Sequence, residues 1–424
     1  VTAAGRHGRI IRTVPGEGVE PSRAEAHRFL RPARLPVPPS RPGRPRVAAR
    51  SGRAALAGLL LLLAAACGED VSPSGTTGPT IAFLFDGSPS DAELVTSPAL
   101  AGLELAAHEA GGFEIEPVNV GLDLEEVTAS LRDLSEDRGV VAAVVAPWTA
   151  PPGGAIDLLA AEGVPVVTLS WAWGPPREGD GLWLSFVAPR AREAVILLSA
   201  ANVAPEGAPL CLAGDEHVTS RALLATATPL GEAAGDPQVL TVGIAGSGKA
   251  ASADAVADRI RDSGCPVLVW VGGAEAAGSV LSSIHSLTAV VAASRTKTDE
   301  GLALASSETA IFTVCACVDV SLSTEPRLQR FVHDLQAESG ASPGAFAVEA
   351  YDAGTLLIGF LGGDGATRGR VAEEMDDLTR FEGLAERYAF EPDGSRRAGS
   401  IRAGRWRAAG SRWLPEAAPV GASG

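Results

Sequence analysis

The feature that most constrains this chain is an alternation of short apolar runs with helix-patterned stretches, carried through twice. The first round opens at Thr80-Ile81-Ala82-Phe83-Leu84-Phe85, a continuous apolar segment of the kind buried on both faces of a parallel sheet. The pattern then predicts a helix Pro98–Ala110 ended by Gly111-Gly112, a strand Glu114–Val120, an amphipathic helix Leu124–Ser135 and a strand Val140–Val145. Helix 154–162 and strand Val164–Leu169 complete the round. The second round predicts strands Leu210–Ala213, Gln238–Val242, Pro266–Val271, Ala289–Ala292 and Ala310–Val318. Helices Ser220–Ala227, Ala253–Asp262 and Glu275–His285 lie between them. Strand–helix–strand units with short loops build doubly wound parallel sheets, and two such series make two α/β lobes.

Beyond Thr324 the pattern changes. Two long helices, Pro326–Ser339 and Phe346–Leu361, precede a Gly-rich turn and a shorter helix. A β-rich tail follows, with Arg387–Phe390, a hairpin turn at Asp393-Gly394 and a strand near Ser400–Trp406.

The 424 residues exceed one ordinary core, and 46% hydrophobic with 20% charged residues suits a globular protein. The net charge of −16 conceals a split. Residues 1–66 hold 12 Arg and 3 Glu, which leaves 23 basic and 48 acidic residues, a net of −25, for 67–424. A body that acidic, without a basic stripe, repels nucleic-acid phosphates, so no nucleic-acid partner is expected.

The front end reads as an address. Arg53 precedes an apolar core of about ten residues, then small residues up to Ala66, then Cys67-Gly68-Glu69-Asp70. The run is too short to span a bilayer, which takes about 20 residues. A secretory signal over 51–66 is the reading, with a buried core helix as the alternative. Residues 1–50, rich in Arg and Pro and without hydrophobic period, are either a disordered extension or over-extended translation, the latter favoured. Leu63-Ala64-Ala65-Ala66-Cys67 resembles a bacterial lipobox, with Ala64 where Leu is usual. The resemblance implies cleavage before Cys67, its lipidation, and a flexible tether over 67–79 that holds the protein on the extracytoplasmic face of the membrane.

Two motifs invite enzymatic or metal readings and fall short of them. Gly243-Ile244-Ala245-Gly246-Ser247-Gly248-Lys249 has the spacing of a phosphate loop, but Ala250 replaces the hydroxyl that would hold magnesium. Cys315-Ala316-Cys317 has no second Cys/His pair nearby, and in an oxidising compartment a disulfide is the plainer reading. Cys211 and Cys265 begin or precede neighbouring strands of the second series; either they form a disulfide or Cys211 is a small buried apolar residue. The six His are scattered singly, and no Gly-x-Ser-x-Gly elbow or Cys/His constellation occurs. No enzyme, metal or cofactor is expected.

Four stretches together resemble the type I periplasmic binding proteins, specifically the branched-chain amino-acid binding proteins of ABC importers. They are Ala101–Gly112, Val144–Thr149 with Gly163–Ser170, Ser342–Ala353, and Phe381–Leu384 with Phe390–Ser395. The resemblance covers nearly all of residues 79–415. It implies two Rossmann-like lobes joined by three crossovers, the first near Phe186–Pro189 and the second near Val318–Ser323, with a ligand cleft between them. The implied division is 80–188 with 320–396 for the first lobe, 189–319 with 397–416 for the second, and 417–424 as a tail.

The family's site carries over residue by residue. Its carboxylate-gripping hydroxyl falls on Thr149, and the next strand's loop falls on Ser170 and Ala172, the latter lacking its hydroxyl. Two lobe-two aromatics fall on Thr219 and Ala274. The acid that pairs the ligand's ammonium falls on Ser294, with Glu216 or Asp299 as possible substitutes. Trp148, Trp171 and Trp173 offer flat apolar area, either on the cleft wall or between helices. The resemblance implies a monomer that captures a small solute, an amino acid or a relative of one, and hands it to a membrane permease. A lipid-anchored ligand sensor or structural lipoprotein of the same fold is the alternative.

Overall fold

A computed structural model describes residues 78–86, 97–121, 123–150, 154–176, 182–201, 208–234, 239–245, 253–284, 286–306, 309–318, 320, 323–340, 343–362, 366–384, 386–397 and 403–416. Residues 1–50, the signal, Cys67, the tether as far as Thr77, the Gly246–Lys249 part of the phosphate-loop pattern and the 417–424 tail lie outside these residues. No helix among the described residues is long and apolar enough to cross a membrane.

The first sheet holds β1 (Thr80–Phe85), β2 (Glu114–Asn119), β3 (Val140–Val145), β4 (Val166–Thr168) and β5 (Trp183–Ser185), all parallel, in the order β2-β1-β3-β4-β5. Every residue of β3 is buried, as its unbroken Val/Ala run requires of a strand covered on both faces. β2 lies at the edge, mostly exposed, and there Pro117 is tolerated. Helices α1 (Ser97–Ala110), α2 (Leu124–Glu136) and α3 (Ala155–Ala161) connect these strands. Asp123 starts α2 by accepting the N–H groups of Glu125 and Glu126, both at 2.9 Å.

The second sheet repeats the winding with β6 (Leu210–Asp215), β7 (Val239–Ala245), β8 (Val267–Val271), β9 (Ala289–Ala293) and β10 (Ala310–Cys315). These five are parallel, and an antiparallel pair, β13 (Gly404–Ala409) and β14 (Arg412–Glu416), extends the sheet beyond β10. Its helices are α4 (Arg190–Ala200), α5 (Val218–Ala234), α6 (Ala253–Ser263), α7 (Ala274–Leu281) and the short α8 (Asp299–Ala303). Cys211 and Cys265 are joined by a disulfide with their Cα atoms 5.8 Å apart, and Cys315 pairs with Cys317.

Between β10 and β13 in sequence come α9 (Pro326–Ser339), α10 (Ala347–Leu361), α11 (Arg368–Asp376) and a ribbon of β11 (Arg380–Glu382) and β12 (Arg387–Ala389). α10 packs closely along α1: a Cβ on Gly102 would overlap the Ala347 carbonyl. Arg368, at the start of α11, reaches back to the Val140 carbonyl at 2.8 Å and to the carbonyls of Ser135 and Asp137 at the end of α2. The chain therefore passes between lobes three times: from β5 through Phe186–Pro189 into α4, from β10 into α9, and from the β12 return at Arg396 to β13.

Several elements differ from the sequence reading. β5, α4, β11 and β14 were not expected. β10 stops at Cys315, before a bend at Ala316-Cys317, instead of continuing to Val318. α7 stops at Leu281, turning through Ser282 and Ser283, short of His285. α5 runs on past Ala227 to Ala234 in spite of Pro229 in its interior.

Candidate functional site

In both sheets the first strand has its two sequence neighbours on opposite sides, so the winding reverses beside β1 and beside β6. Open α/β sheets bind ligands outside the carboxyl ends of strands at such reversals. Asp86 follows β1 and Ala146-Pro147-Trp148-Thr149 follows β3; Asp215 ends β6 and Gly272-Gly273 follows β8.

The two sets meet. The Trp148 indole N–H donates to the Ser294 hydroxyl at 3.2 Å, across 146 positions of sequence, and both side chains are buried. Trp148 holds this place with a backbone φ of +62°, a left-handed conformation uncommon for a bulky residue. Its ring meets Trp171 edge to face, 6.0 Å between centroids. A second contact crosses from the end of β1, where Asp86 Oδ2 stands 3.9 Å from His217 Nε2.

Within each lobe the loops are tied down. The Ser170 hydroxyl donates to the Thr149 carbonyl at 2.7 Å and accepts the Ala172 N–H at 3.4 Å, while the Ser170 N–H goes to the Thr168 hydroxyl. In the second lobe the buried Asp215 carboxylate accepts the Gly273 N–H at 2.7 Å and the His217 N–H at 3.1 Å. The buried Arg295 stands 3.6 Å from the same carboxylate and donates to Ser220 at 3.2 Å. His217 Nδ1 lies 2.7 Å from the Thr219 hydroxyl. On α4, burial pushes the Glu193 carboxyl up to about 7, against a hydrogen bond from Trp171.

A separate buried cluster sits where the crossings converge. Arg396 pairs with Glu386, lies over the Tyr388 ring at 4.7 Å, and donates to the Phe186 carbonyl in the first crossing. Glu349 on α10 accepts the Val318 N–H of the second crossing at 2.6 Å. Burial first, and the Glu386 carboxylate after it, push Glu349 up to about 8; its Oε2 is buried without a hydrogen-bond partner among the described residues. Beneath them Asp352 accepts the Tyr388 hydroxyl at 2.9 Å and the Leu384 N–H at 2.6 Å. A Cβ on Gly383 would run into Asp352 and Tyr388, so the turn between β11 and β12 needs glycine there.

Residues 79–411 match the family model of the periplasmic binding proteins. The chain belongs to that family. Among solved structures, this periplasmic binding protein is similar to LivJ of Streptococcus pneumoniae, a branched-chain amino acid transporter substrate binding protein in complex with isoleucine. The identity is 15%, the TM-score 0.58, and the match covers 80% of this chain and 100% of that one. It is similar to the leucine binding protein LivK of Thermotoga maritima at 15% identity and TM-score 0.61, over 80% and 97% of the two chains. An ABC transporter solute binding protein of R. palustris in complex with benzoate matches at 14% identity and TM-score 0.61, over 81% and 97%. At these identities the likeness is one of fold. No curated protein matches the sequence.

Placed in this binding protein, Trp148, Thr149, Ser170, Trp171 and Ala172 cluster at the first lobe's strand ends, and Thr219, Ala274 and Ser294 at the second's. Glu216 is exposed, beside the buried Asp215. The Thr149 N–H turns back to the Ala146 carbonyl at 3.4 Å, and α3 begins at Ala155. Trp173 is fully buried between α2, α3 and their strands. Sequence reading missed Asp86, Asp215, His217 and Arg295. Asp86 and Asp215 share one signal, a single acid closing an apolar strand, and that signal alone names no partner. No group of three potential metal ligands occurs among the described residues.

Proposed function

We propose that this periplasmic binding protein is a lipid-anchored extracytoplasmic carrier that captures a small solute between its lobes and presents it to an ABC importer. The observation that carries the reading is the meeting of two strand-end clusters at the sheet reversals, joined by the Trp148–Ser294 hydrogen bond. Fold relatives described as holding isoleucine or benzoate support a small organic solute. The family consists of binding proteins, which supports a role without catalysis. The lobes are taken as 80–188 with 320–396 and 189–319 with 397–416, and the solute site as the Thr149–Ala172 and His217–Ala274 loops.

Free leucine should bind weakly unless Glu216 or Asp299 swings into the cleft. An ammonium in this cleft meets Ser294, whose hydroxyl already accepts from Trp148, while the buried Asp215 is engaged by two backbone N–H groups and stands beside Arg295. An unpaired buried charge costs several kcal/mol. A thermal-shift screen of the chain lacking residues 1–67, against amino acids, amides, short peptides and aromatic acids, tests the reading, because native-state binding raises apparent stability. At least one class should raise the melting temperature, and leucine should not. Micromolar binding of leucine by calorimetry, unchanged in Glu216→Ala and Asp299→Ala, would overturn the assignment of the pocket.

A further inference from the structure

Beside the cleft, a cavity of about 410 Å³ opens between the ends of β4 and β5, the first crossing and the β12 return. Trp171, Trp183, Ser185, Arg190, Ser395 and Arg396 are among its walls. Two arginines line it, and among the described residues no Asp or Glu does. Arg396 is committed to Glu386. Arg190 has no ion pair among the described residues; its guanidinium lies 5.6 Å from the centre of the Trp171 ring.

Arg190 is also the first residue of α4, an eleven-residue helix whose preceding residue, Pro189, supplies no side-chain cap. Helix N-termini present unsatisfied N–H groups and the positive end of the macrodipole, so a second cation in the first turn, Arg192, is electrostatically unfavourable unless an anion is present. Arg192 Nε is buried without a partner. So is the indole N–H of Trp183, a cavity-lining side chain only 6% exposed. Glu193 in the same turn takes the Trp171 indole N–H, and burial keeps it largely protonated below about pH 7. Ser395 donates to Asp393, an exposed turn residue.

We propose that this cavity binds the carboxylate of a small organic acid with an apolar or aromatic body, the acid group at Arg190 and the start of α4 and the body against Trp171 and Trp183. The proposal rests on the solute-binding reading, since Trp171 and Ala172 belong to both sites, and it names the solute's chemical class. Its walls come from two crossings as well as the first lobe, so occupancy spans the joint between lobes.

The experiment is calorimetry and tryptophan-fluorescence titration of the full-length protein with 3-phenylpropanoate, its uncharged amide, and inorganic phosphate. The acid should bind at least tenfold more tightly than the amide, and phosphate weakly. Arg190→Ala should remove that preference, and Trp183→Phe, which trims the indole to a phenyl and loses the N–H, should weaken the acid severalfold. Equal binding of acid and amide, or an acid affinity unaffected by Arg190→Ala, overturns the proposal. Tight phosphate binding overturns it in favour of a plain anion site. If the acid does not bind while another screened solute does, unaffected by Arg190→Ala, the cavity assignment falls and the carrier reading stands. If no solute of any class binds, both fall.

Discussion

Trp148 combines a left-handed backbone with a bond to the opposite lobe, and the first is tolerable only because the surroundings fix it. Replacing it with Phe removes the donor and the five-membered half of a buried indole. The expected loss is about 2–3 kcal/mol, one hydrogen bond plus the space left unfilled, read as a lower urea midpoint at unchanged slope. Glu349 makes a different prediction. Its folded pKa, near 8, lies above the ordinary value of 4.5, so the folded state favours the protonated acid. Its contribution to stability is full below about pH 4.5 and is lost as pH rises through about 8, a swing on the order of a few kcal/mol. Glu349→Gln, which keeps an oxygen for the Val318 N–H, should flatten stability across that window and leave the protein more stable at pH 8.5. An unchanged pH profile in the variant would show that Glu349 titrates normally. Neither residue's role was legible in sequence. Trp148 reads as apolar area and Glu349 as one position of the Ser342–Ala353 stretch until the fold brings Ser294 and Val318 to them.

At the scale of elements, most of the alternation was legible, because a strand buried on both faces must be a continuous apolar run: β1, β3 and α9 have the expected boundaries. What escaped was short or mixed. β5 is three residues long, α4 opens with two Arg among its first three residues, and β14 carries Pro415 at a sheet edge. Pairing for these comes from tertiary context and not from their own period. Arg368 shows the same dependence. α2 has no basic residue in its last turn, and its terminal carbonyls are met instead by a guanidinium from α11. Arg368→Ala should strand several buried acceptors and cost about 2–4 kcal/mol, whereas Arg370→Ala, two residues on, should cost little. Gly102→Ala should cost about 1–3 kcal/mol by pushing α1 off α10, measurable in the same denaturation series.

For the whole molecule, the two-lobed plan was readable in the sequence, while the approach of one lobe to the other was not, since Asp86 and His217 are 131 positions apart. The membrane attachment proposed for Cys67 has its own check. Mass spectrometry of membrane-extracted protein should find a diacylglyceryl-Cys at the N-terminus, and Cys67→Ser should leave the protein unprocessed or released. An intact Ala66–Cys67 bond in the membrane fraction would refute it. The buried cluster at the crossings bears on how such proteins can be recombined. Arg396 holds the first crossing by the Phe186 carbonyl, Glu349 holds the second by the Val318 N–H, and Arg396 itself leads into the third. A chimera that grafts one lobe onto a relative's other lobe cannot treat the three joints as independent cuts. It must keep the Val318 N–H, which the second lobe supplies, in place for Glu349 of the first, or it will strand a buried acid at the seam and splice two halves that each fold but do not bend as one.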